Sequence, residues 1–268
     1  MVRRLTFAAL LSLLCATLLA VAQNPTTPPE IQTAPPPLRV GPPPANATAE
    51  ELETKGDQLK LAKQFADALD YYRAASQKKR SAAIFNKIGI LELQTLHLKE
   101  AEKSFNQAVK ADRSAPEGYN NLGAVNYARK KYDKAIKYYK RALRIRETAA
   151  SFHSNLGTAY FEKKEYDKAA AEYRRALQLD PDIFDRNSQT GIAAHMVSLD
   201  DRARFSYQLA KLFATSGDLE RSLLYLRRAM EDGYKGIDEV YKDKEFATLR
   251  KDPRFTELMA QKPASIPQ

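Results

Sequence analysis

Residues that could carry out catalysis or bind a metal are few and widely separated in this sequence. Its three histidines, His97, His153 and His195, lack both the His-x3-His and the His-Glu-x2-His spacings that place two ligands on one zinc ion. No glycine-rich phosphate-binding loop and no Gly-x-Ser-x-Gly nucleophile turn occurs. The single cysteine, Cys15, lies in an apolar run near the N-terminus. The sequence therefore predicts a protein without catalytic activity, metal or cofactor.

Positive charge is the most concentrated chemical feature of the chain. Its 43 lysines and arginines outnumber its 33 aspartates and glutamates, which gives a formal net charge of +10 and favours anionic partners. Nine cations fall in the short stretch from Arg129 to Arg146, with Asp133 as the only acid among them. Six of these cations form the candidate basic stripe: Lys130, Lys134, Lys137, Lys140, Arg141 and Arg144.

The N-terminal part of the chain, positions 1–48, differs in composition from the rest. Residues 1–22 combine two arginines, an apolar run and a final Ala-Val-Ala, which is the pattern of a secretory signal peptide. Residues 23–48 hold nine of the 14 prolines and predict an extended, disordered linker. The mature protein is therefore expected in the periplasm or outside the cell. The alternative is an uncleaved N-terminal segment that anchors the chain in a membrane.

A frame of small and aromatic residues recurs with a regular period between positions 49 and 181. Each copy has a glycine at a position i, an alanine at i+12 and an aromatic ring at i+16. Small side chains let two antiparallel helices approach closely, and the ring fills the space beside them. The positions are Gly56, Gly89, Gly123 and Gly157, then Ala68, Ala101, Ala135 and Ala169, then Tyr72, Phe105, Tyr139 and Tyr173, with Pro181 ending the fourth copy.

This frame resembles the tetratricopeptide repeat, a helix–turn–helix unit of about 34 residues. The resemblance implies an all-α fold, a right-handed superhelical solenoid of antiparallel helix pairs, because one pair cannot bury its apolar face without a neighbour. Four repeats are predicted within 49–181, at about 49–81, 82–115, 116–149 and 150–183.

The rhythm of the repeats stops after Pro181. A frame of small residues returns later as Ala210, Ser222 and Ala229, in which Ala210 and Ser222 keep the offsets i and i+12. The predicted segments are an insertion loop at 182–199, a divergent fifth helical hairpin at 200–232, C-terminal helices at 233–262 that cap the last apolar helix face, and a disordered tail at 263–268.

In the tetratricopeptide family, the first helix of each repeat lines a concave groove that binds extended peptides. The residue two positions before the glycine typically points into this groove, and here it is Lys87, Asn121 or Asn155. An asparagine can donate to and accept from a peptide backbone whatever the peptide's side chains are. The resemblance therefore implies that these three residues bind peptide, with Tyr127 and Phe161 as apolar contacts. The alternative is that Asn-Leu-Gly is simply common usage in the family.

The function expected from these features is a non-catalytic protein–protein interaction scaffold of the cell envelope. Its partners would be proteins that present extended segments to the groove. The alternative is a basic module that binds an anionic envelope polymer, a lipid or an acidic protein through the basic stripe, and a merely solvated helix face would also explain the charges. Nucleic acid is not expected because no base-reading motif occurs, and neither is a small-molecule substrate.

Overall fold

The structure is a computed structural model that describes residues 39–184 and 199–261. In these ranges the chain forms α-helices and short 3-10 turns and no strand. The predicted signal peptide and tail, most of the linker and residues 185–198 of the predicted insertion lie outside them. No helix in the same two ranges is long and apolar enough to span a membrane. The all-α prediction is therefore confirmed for the residues described.

Eight helices form four consecutive pairs in the first part of the fold. Three residues join the two helices of every pair, and three or four residues join one pair to the next. Connections this short keep neighbouring helices antiparallel and in contact, which builds the predicted solenoid. The helices are α1 (Ala49–Leu61), α2 (Phe65–Lys78), α3 (Ala82–Gln94), α4 (Leu98–Ala111), α5 (Pro116–Ala128), α6 (Tyr132–Ile145), α7 (Ala150–Glu162) and α8 (Tyr166–Leu179).

The glycine of each repeat lies directly against the aromatic ring of the same repeat. A methyl group added at Gly56 would come within 2.5 Å of the Tyr72 ring, a distance that real contacts do not reach. The four rings are at most 3% exposed, and the four repeat alanines are at most 1% exposed. The spacing from i to i+16 therefore sets how closely the two helices of a pair approach. The other three contacts are Gly89 with Phe105, Gly123 with Tyr139 and Gly157 with Tyr173.

The turn inside each pair places one residue in the left-handed backbone region, seven positions after the glycine. Four non-glycine residues occupy this position, with φ between 58° and 62°. The following backbone N–H closes the helix end on a carbonyl five residues earlier, as Gln64 does on Leu59 at 2.9 Å. A side chain makes this conformation less favourable than it is for glycine. The four residues are Lys63, Leu96, Lys130 and Lys164.

A fifth hairpin follows, formed by α9 (Leu199–Ser216) and α10 (Leu219–Glu231). It repeats the turn of the first four pairs, because Gly217 lies seven residues after Ala210 and has a φ of 84°. Where the repeats have glycine and a ring, this hairpin has Ala210 and Leu226, both fully buried. Ser222 replaces the repeat alanine and donates a hydrogen bond to the Ala210 carbonyl at 2.8 Å.

Between α10 and Gln261 the structure describes three 3-10 turns and one α-helix, where the sequence predicted capping helices. The guanidinium of Arg250 donates to the carbonyls of Val240 and Asp243, which ties the irregular segment between them to the third turn. Pro253 also favours the extended backbone seen at Asp252. Most large apolar side chains of this segment are at most 5% exposed, whereas Tyr241 is 52% exposed. Its elements are Ile237–Tyr241, Lys244–Phe246, Leu249–Lys251 and α11 (Pro253–Gln261).

Replacing Gly123 by alanine should destabilise the fold, because the added methyl group would lie 2.5 Å from the Tyr139 ring. We expect the free energy of unfolding to fall by about 1–3 kcal/mol, despite the higher helix propensity of alanine. Urea unfolding measures the change. Gly41→Ala is the control, since no atom lies within 4 Å of its added methyl group. Equal stability of the two variants would contradict the steric account.

Replacing Leu96 by glycine should stabilise the protein. Leu96 has a φ of 61° and its side chain is exposed, so the substitution relieves backbone strain and removes almost no packing. We expect a gain of about 0.5–1 kcal/mol in urea unfolding. The reverse change, Gly217→Ala, should cost a similar amount, because nothing lies near the added methyl group and only the backbone is affected. A loss of stability in Leu96→Gly would contradict this interpretation.

Candidate interaction surface

A row of asparagine side chains runs across the first helices of the second, third and fourth repeats. Asn155 Nδ2 donates to Asn120 Oδ1 at 3.0 Å, and Asn121 Nδ2 donates to Asn86 Oδ1 at 3.4 Å. Within the third repeat, Asn120 Nδ2 also donates to Asn121 Oδ1 at 3.3 Å. These four asparagines are here called the amide ladder. Each bond between repeats starts from the asparagine two positions before the glycine of its own repeat. It ends on the asparagine three positions before the glycine of the preceding repeat.

The amide ladder leaves hydrogen-bonding capacity unused. A side-chain amide has two N–H donors and an oxygen with two lone pairs. Within the described ranges, Asn86 only accepts one bond and Asn155 only donates one. All four side chains are half-buried, so water or a ligand can reach them. The sequence pattern indicated Asn121 and Asn155 but not Asn86 and Asn120, although these two also recur at one offset in successive repeats and directly precede the predicted groove positions.

Lys87 holds the equivalent position at the junction of the first and second repeats, but it forms an ion pair. Its ammonium group lies 2.7 Å from Glu53 Oε1 and 2.7 Å from Asp57 Oδ2. Burial opposes ionisation of Asp57, but hydrogen bonds from Lys87 and from the Tyr72 hydroxyl outweigh burial and lower the pKa of this carboxyl. The lysine predicted to bind peptide is therefore tied to the first repeat.

Tyr127 and Tyr132 share one carboxylate of the next repeat. The Tyr127 hydroxyl donates to Glu162 Oε1 at 3.2 Å, and the Tyr132 hydroxyl donates to Glu162 Oε2 at 3.1 Å. Burial and the negative charge of Glu162 raise the pKa of Tyr132 to about 12, so this phenol stays protonated at neutral pH. The Tyr127 side chain is half-buried and follows Asn120 by seven residues, which places both on one face of α5.

Phe161 is not a groove residue, and its predicted contact with peptide is wrong. Its ring is 3% exposed, with the Tyr166 and Phe205 rings at centroid distances of 5.4 Å and 5.9 Å. Because Phe205 belongs to the fifth hairpin, the packing of this hairpin removes Phe161 from solvent. Ser154 and Thr158 of the same helix are also at most 2% exposed. The accessible part of the inner face therefore lies between Asn86 and Asn155.

Residues 115–182, which contain α5 to α8, match the tetratricopeptide repeat family model. Residues 115–182 are tetratricopeptide repeats. Their fold is that of a protein–protein interaction scaffold, and members of the family are typically non-catalytic.

Several solved structures of tetratricopeptide proteins are similar to the chain. MamA is 19% identical, with 70% of this chain and 97% of MamA covered at a TM-score of 0.47. YrrB, described as a TPR protein with an unusual peptide-binding site, is 17% identical, with 72% and 91% covered at 0.46. TTC0263 of Thermus thermophilus, described as thermophilic, is 19% identical, with 80% and 100% covered at 0.48. No curated protein matches the sequence.

The basic stripe lies on the second helix of the third tetratricopeptide repeat and on the turn before it. All six of its side chains are exposed. The Arg141 guanidinium lies 5.4 Å from the centre of the Tyr119 ring, and the Lys140 ammonium lies 5.6 Å from that of Tyr160. The only acid of the same helix, Asp133, pairs with Lys163 of the fourth repeat at 2.6 Å.

The two histidines of the described residues differ in their surroundings, and the third lies outside these residues. His153 is buried between the Glu172 carboxylate, 2.6 Å from Nδ1, and the Glu147 carbonyl, 2.9 Å from Nε2. His97 is exposed in the turn of the second tetratricopeptide repeat, and His195 is not described. Among residues 39–184 and 199–261, no three histidine, cysteine or acidic side chains are grouped so that they could hold a metal.

Replacing Lys87 by methionine should remove a pH-dependent part of the stability. At neutral pH we expect a loss of about 0.5–1 kcal/mol, because the ion pair is partly exposed. The folded-state pKa of Asp57 lies below its ordinary value of 3.8, so the contribution is present at neutral pH and is lost as the pH falls through this pKa. The difference in melting temperature between the variant and the wild type should therefore shrink below about pH 4.

The control is Lys103→Met on α4, because no ion pair joins Lys103 to a carboxylate within the two described ranges. Its melting temperature should follow that of the wild type at every pH. A difference for Lys87→Met that grows toward acid pH would contradict the assignment.

Proposed function

We propose that the chain is a non-catalytic scaffold that binds an extended peptide segment of a partner protein along α3, α5 and α7. The amide ladder is the observation that carries this proposal. An extended peptide presents backbone N–H and C=O groups in turn, and a side-chain amide can pair with either. The half-buried asparagines keep unused donors and acceptors on three successive repeats, so the peptide backbone could be held at several points whatever its sequence.

Apolar side chains beside the amide ladder supply a second kind of contact. Ile90 and Leu93 follow Asn86 by four and seven residues, and Ala124 and Tyr127 follow Asn120 in the same way. Residues at these intervals share one face of a helix. All four side chains are half-buried. A bound segment could therefore pair its backbone with the asparagines and direct some side chains against this apolar row.

The length of the accessible face sets the size of the ligand. Packed helices lie about 8–10 Å apart, so three inner helices span on the order of 20 Å. An extended chain rises about 3.3 Å per residue. The proposed ligand is therefore a segment of roughly six residues. Because the inner face of the fourth repeat is largely buried, the segment would contact the second and third repeats most extensively.

We also propose that the scaffold works outside the cytoplasm, in the periplasm or as a secreted protein. The support is the composition of residues 1–22, which is that of a secretory signal peptide. Mass spectrometry of the protein purified from its own cells tests this directly. A mature chain that begins at Gln23 is the expected result, and a retained apolar segment would favour the membrane-anchored alternative.

Replacing both Asn121 and Asn155 by alanine should weaken peptide binding. The best ligand from a display library of short unstructured peptides serves as the probe, and calorimetry measures its dissociation constant. Losing hydrogen bonds worth about 0.5–1.5 kcal/mol at two positions should weaken binding by roughly five- to 150-fold. The melting temperature should fall only slightly, because the lost bonds between repeats are partly exposed to water.

Two control variants distinguish the loss of a peptide contact from a loss of protein stability. Asn106→Ala removes an exposed asparagine of α4 that bonds only within its own helix. Ser222→Ala removes a buried hydrogen bond of the fifth hairpin, far along the chain from the amide ladder. Both should bind the peptide as the wild type does. Unchanged affinity in the double variant, or an equal loss in Ser222→Ala, would rule out the inner face as the binding site.

A further inference from the structure

Helix α6 carries an unbroken row of cations on the side opposite its buried residues. Ala135, Tyr139 and Ala142 are the buried residues of this helix. The cations lie at intervals of three, four and three residues, so they follow one line along the helix surface. This row forms the centre of the basic stripe and consists of Lys134, Lys137, Arg141 and Arg144.

Ion pairs neutralise the two arginines that flank this region and its only acid, but not the row itself. Asp133 is paired with Lys163, and Arg146 is paired with Glu117 at 2.6 Å. Arg129 is bound to Glu102. Within residues 39–184 and 199–261, no ion pair joins any of the four central cations to a carboxylate, although all four are exposed. Lys130, Lys131 and Lys140 also form no ion pair within these ranges, so four of the seven unpaired cations of residues 129–146 lie on one line.

The neighbouring outer helices lack this arrangement at the same positions of the repeat. The equivalent residues of α4 include an acid and a glutamine, Glu100 and Gln107. On α8, Lys168 is paired with Glu165 at 2.6 Å, and Arg175 donates to Gln178. On α4 and α8 the outer face thus carries mixed or paired charges. A solvated helix face needs no row of like charges, which repel one another along a helix.

The spacing of the row fits carboxylates on another helix. With a rise of 1.5 Å per residue, the four cations stand about 4.5, 6 and 4.5 Å apart along α6. Acidic residues at i, i+3, i+7 and i+10 of a partner helix have the same spacing. An extended chain places side chains on one side about 6.8 Å apart and soon loses register. A flat anionic membrane would also meet Glu100 and the uncharged residues of the adjacent helices.

We infer that the basic stripe is a docking site for an acidic helix of a partner protein. Its carboxylates would lie opposite Lys134, Lys137, Arg141 and Arg144. The Tyr119 ring holds the Arg141 guanidinium by a cation–π contact and leaves its N–H edge available for a bidentate bond to a carboxylate. The site lies on the second helix of its repeat and the amide ladder on the first helices, so the two sites use different helices.

The inference is tested with synthetic helical peptides and fluorescence anisotropy at 50 mM salt. One alanine-based peptide carries glutamates at i, i+3, i+7 and i+10, and a second has the same composition with the glutamates distributed around the helix. The first should bind at least about tenfold more tightly. Its affinity should fall when the salt is raised to 200 mM, because exposed charges are screened. Equal binding of the two peptides would overturn the inference.

Two variants with the same loss of charge locate the site. The stripe variant should bind the first peptide at least about tenfold more weakly, whereas the control variant should lose less than about threefold. Circular dichroism checks that both variants remain folded. The stripe variant is Lys134→Gln, Lys137→Gln, Arg141→Gln and Arg144→Gln, and the control variant is Lys99→Gln, Lys103→Gln, Lys110→Gln and Arg113→Gln.

Three further outcomes would overturn the inference. An equal loss in the control variant would show that net charge, not the stripe, attracts the peptide. Absence of binding by the wild type would remove the site. Binding of phosphatidylserine vesicles that depends on the stripe, without binding of the peptide, would instead assign the stripe to a membrane surface.

Discussion

The contact of one glycine with one aromatic ring determines how the rest of the repeats are arranged. The contact leaves no room for even a methyl group, and it recurs in four successive hairpins. It therefore holds the two helices of each hairpin at one separation. Because every hairpin has the same internal geometry, a residue at a given offset from the glycine lies at the same place in each repeat. Side chains of one type that recur at the same offset therefore form a continuous row along the solenoid.

The two faces of the solenoid use this regularity for different chemistry. On the inner face, the offsets two and three before the glycine bring asparagines into contact across repeats, and Lys87 with Glu53 uses the same register at the first junction. On the outer face, α6 carries four exposed cations in one line, none of which forms an ion pair within the described residues. The inner face offers neutral hydrogen-bonding groups that tolerate many sequences, whereas the outer row selects for charge.

Periodic features of this fold could be predicted from the sequence, and features that depend on departures from the period could not. Gly123, Ala135 and Tyr139 identify their helix pair because the contact of the glycine with the ring is made within one repeat. Phe161 was assigned wrongly because its burial comes from Phe205, which follows a break in the rhythm. The 3-10 turns near the C-terminus are accompanied by hydrogen bonds from Arg250 to two carbonyls, which no periodicity indicates.

The fifth hairpin illustrates a steric exchange within a single contact. At the position of the repeat glycine it has Ala210, and at the position of the repeat ring it has Leu226. Both residues are fully buried. A larger group on one helix is thus matched by a smaller one on the other, and the interior remains filled. Packing therefore constrains the summed volume of the two side chains. Sequences that diverge from this chain should change them together, so that covariation between positions i and i+16 would identify further hairpins of this kind where no glycine remains.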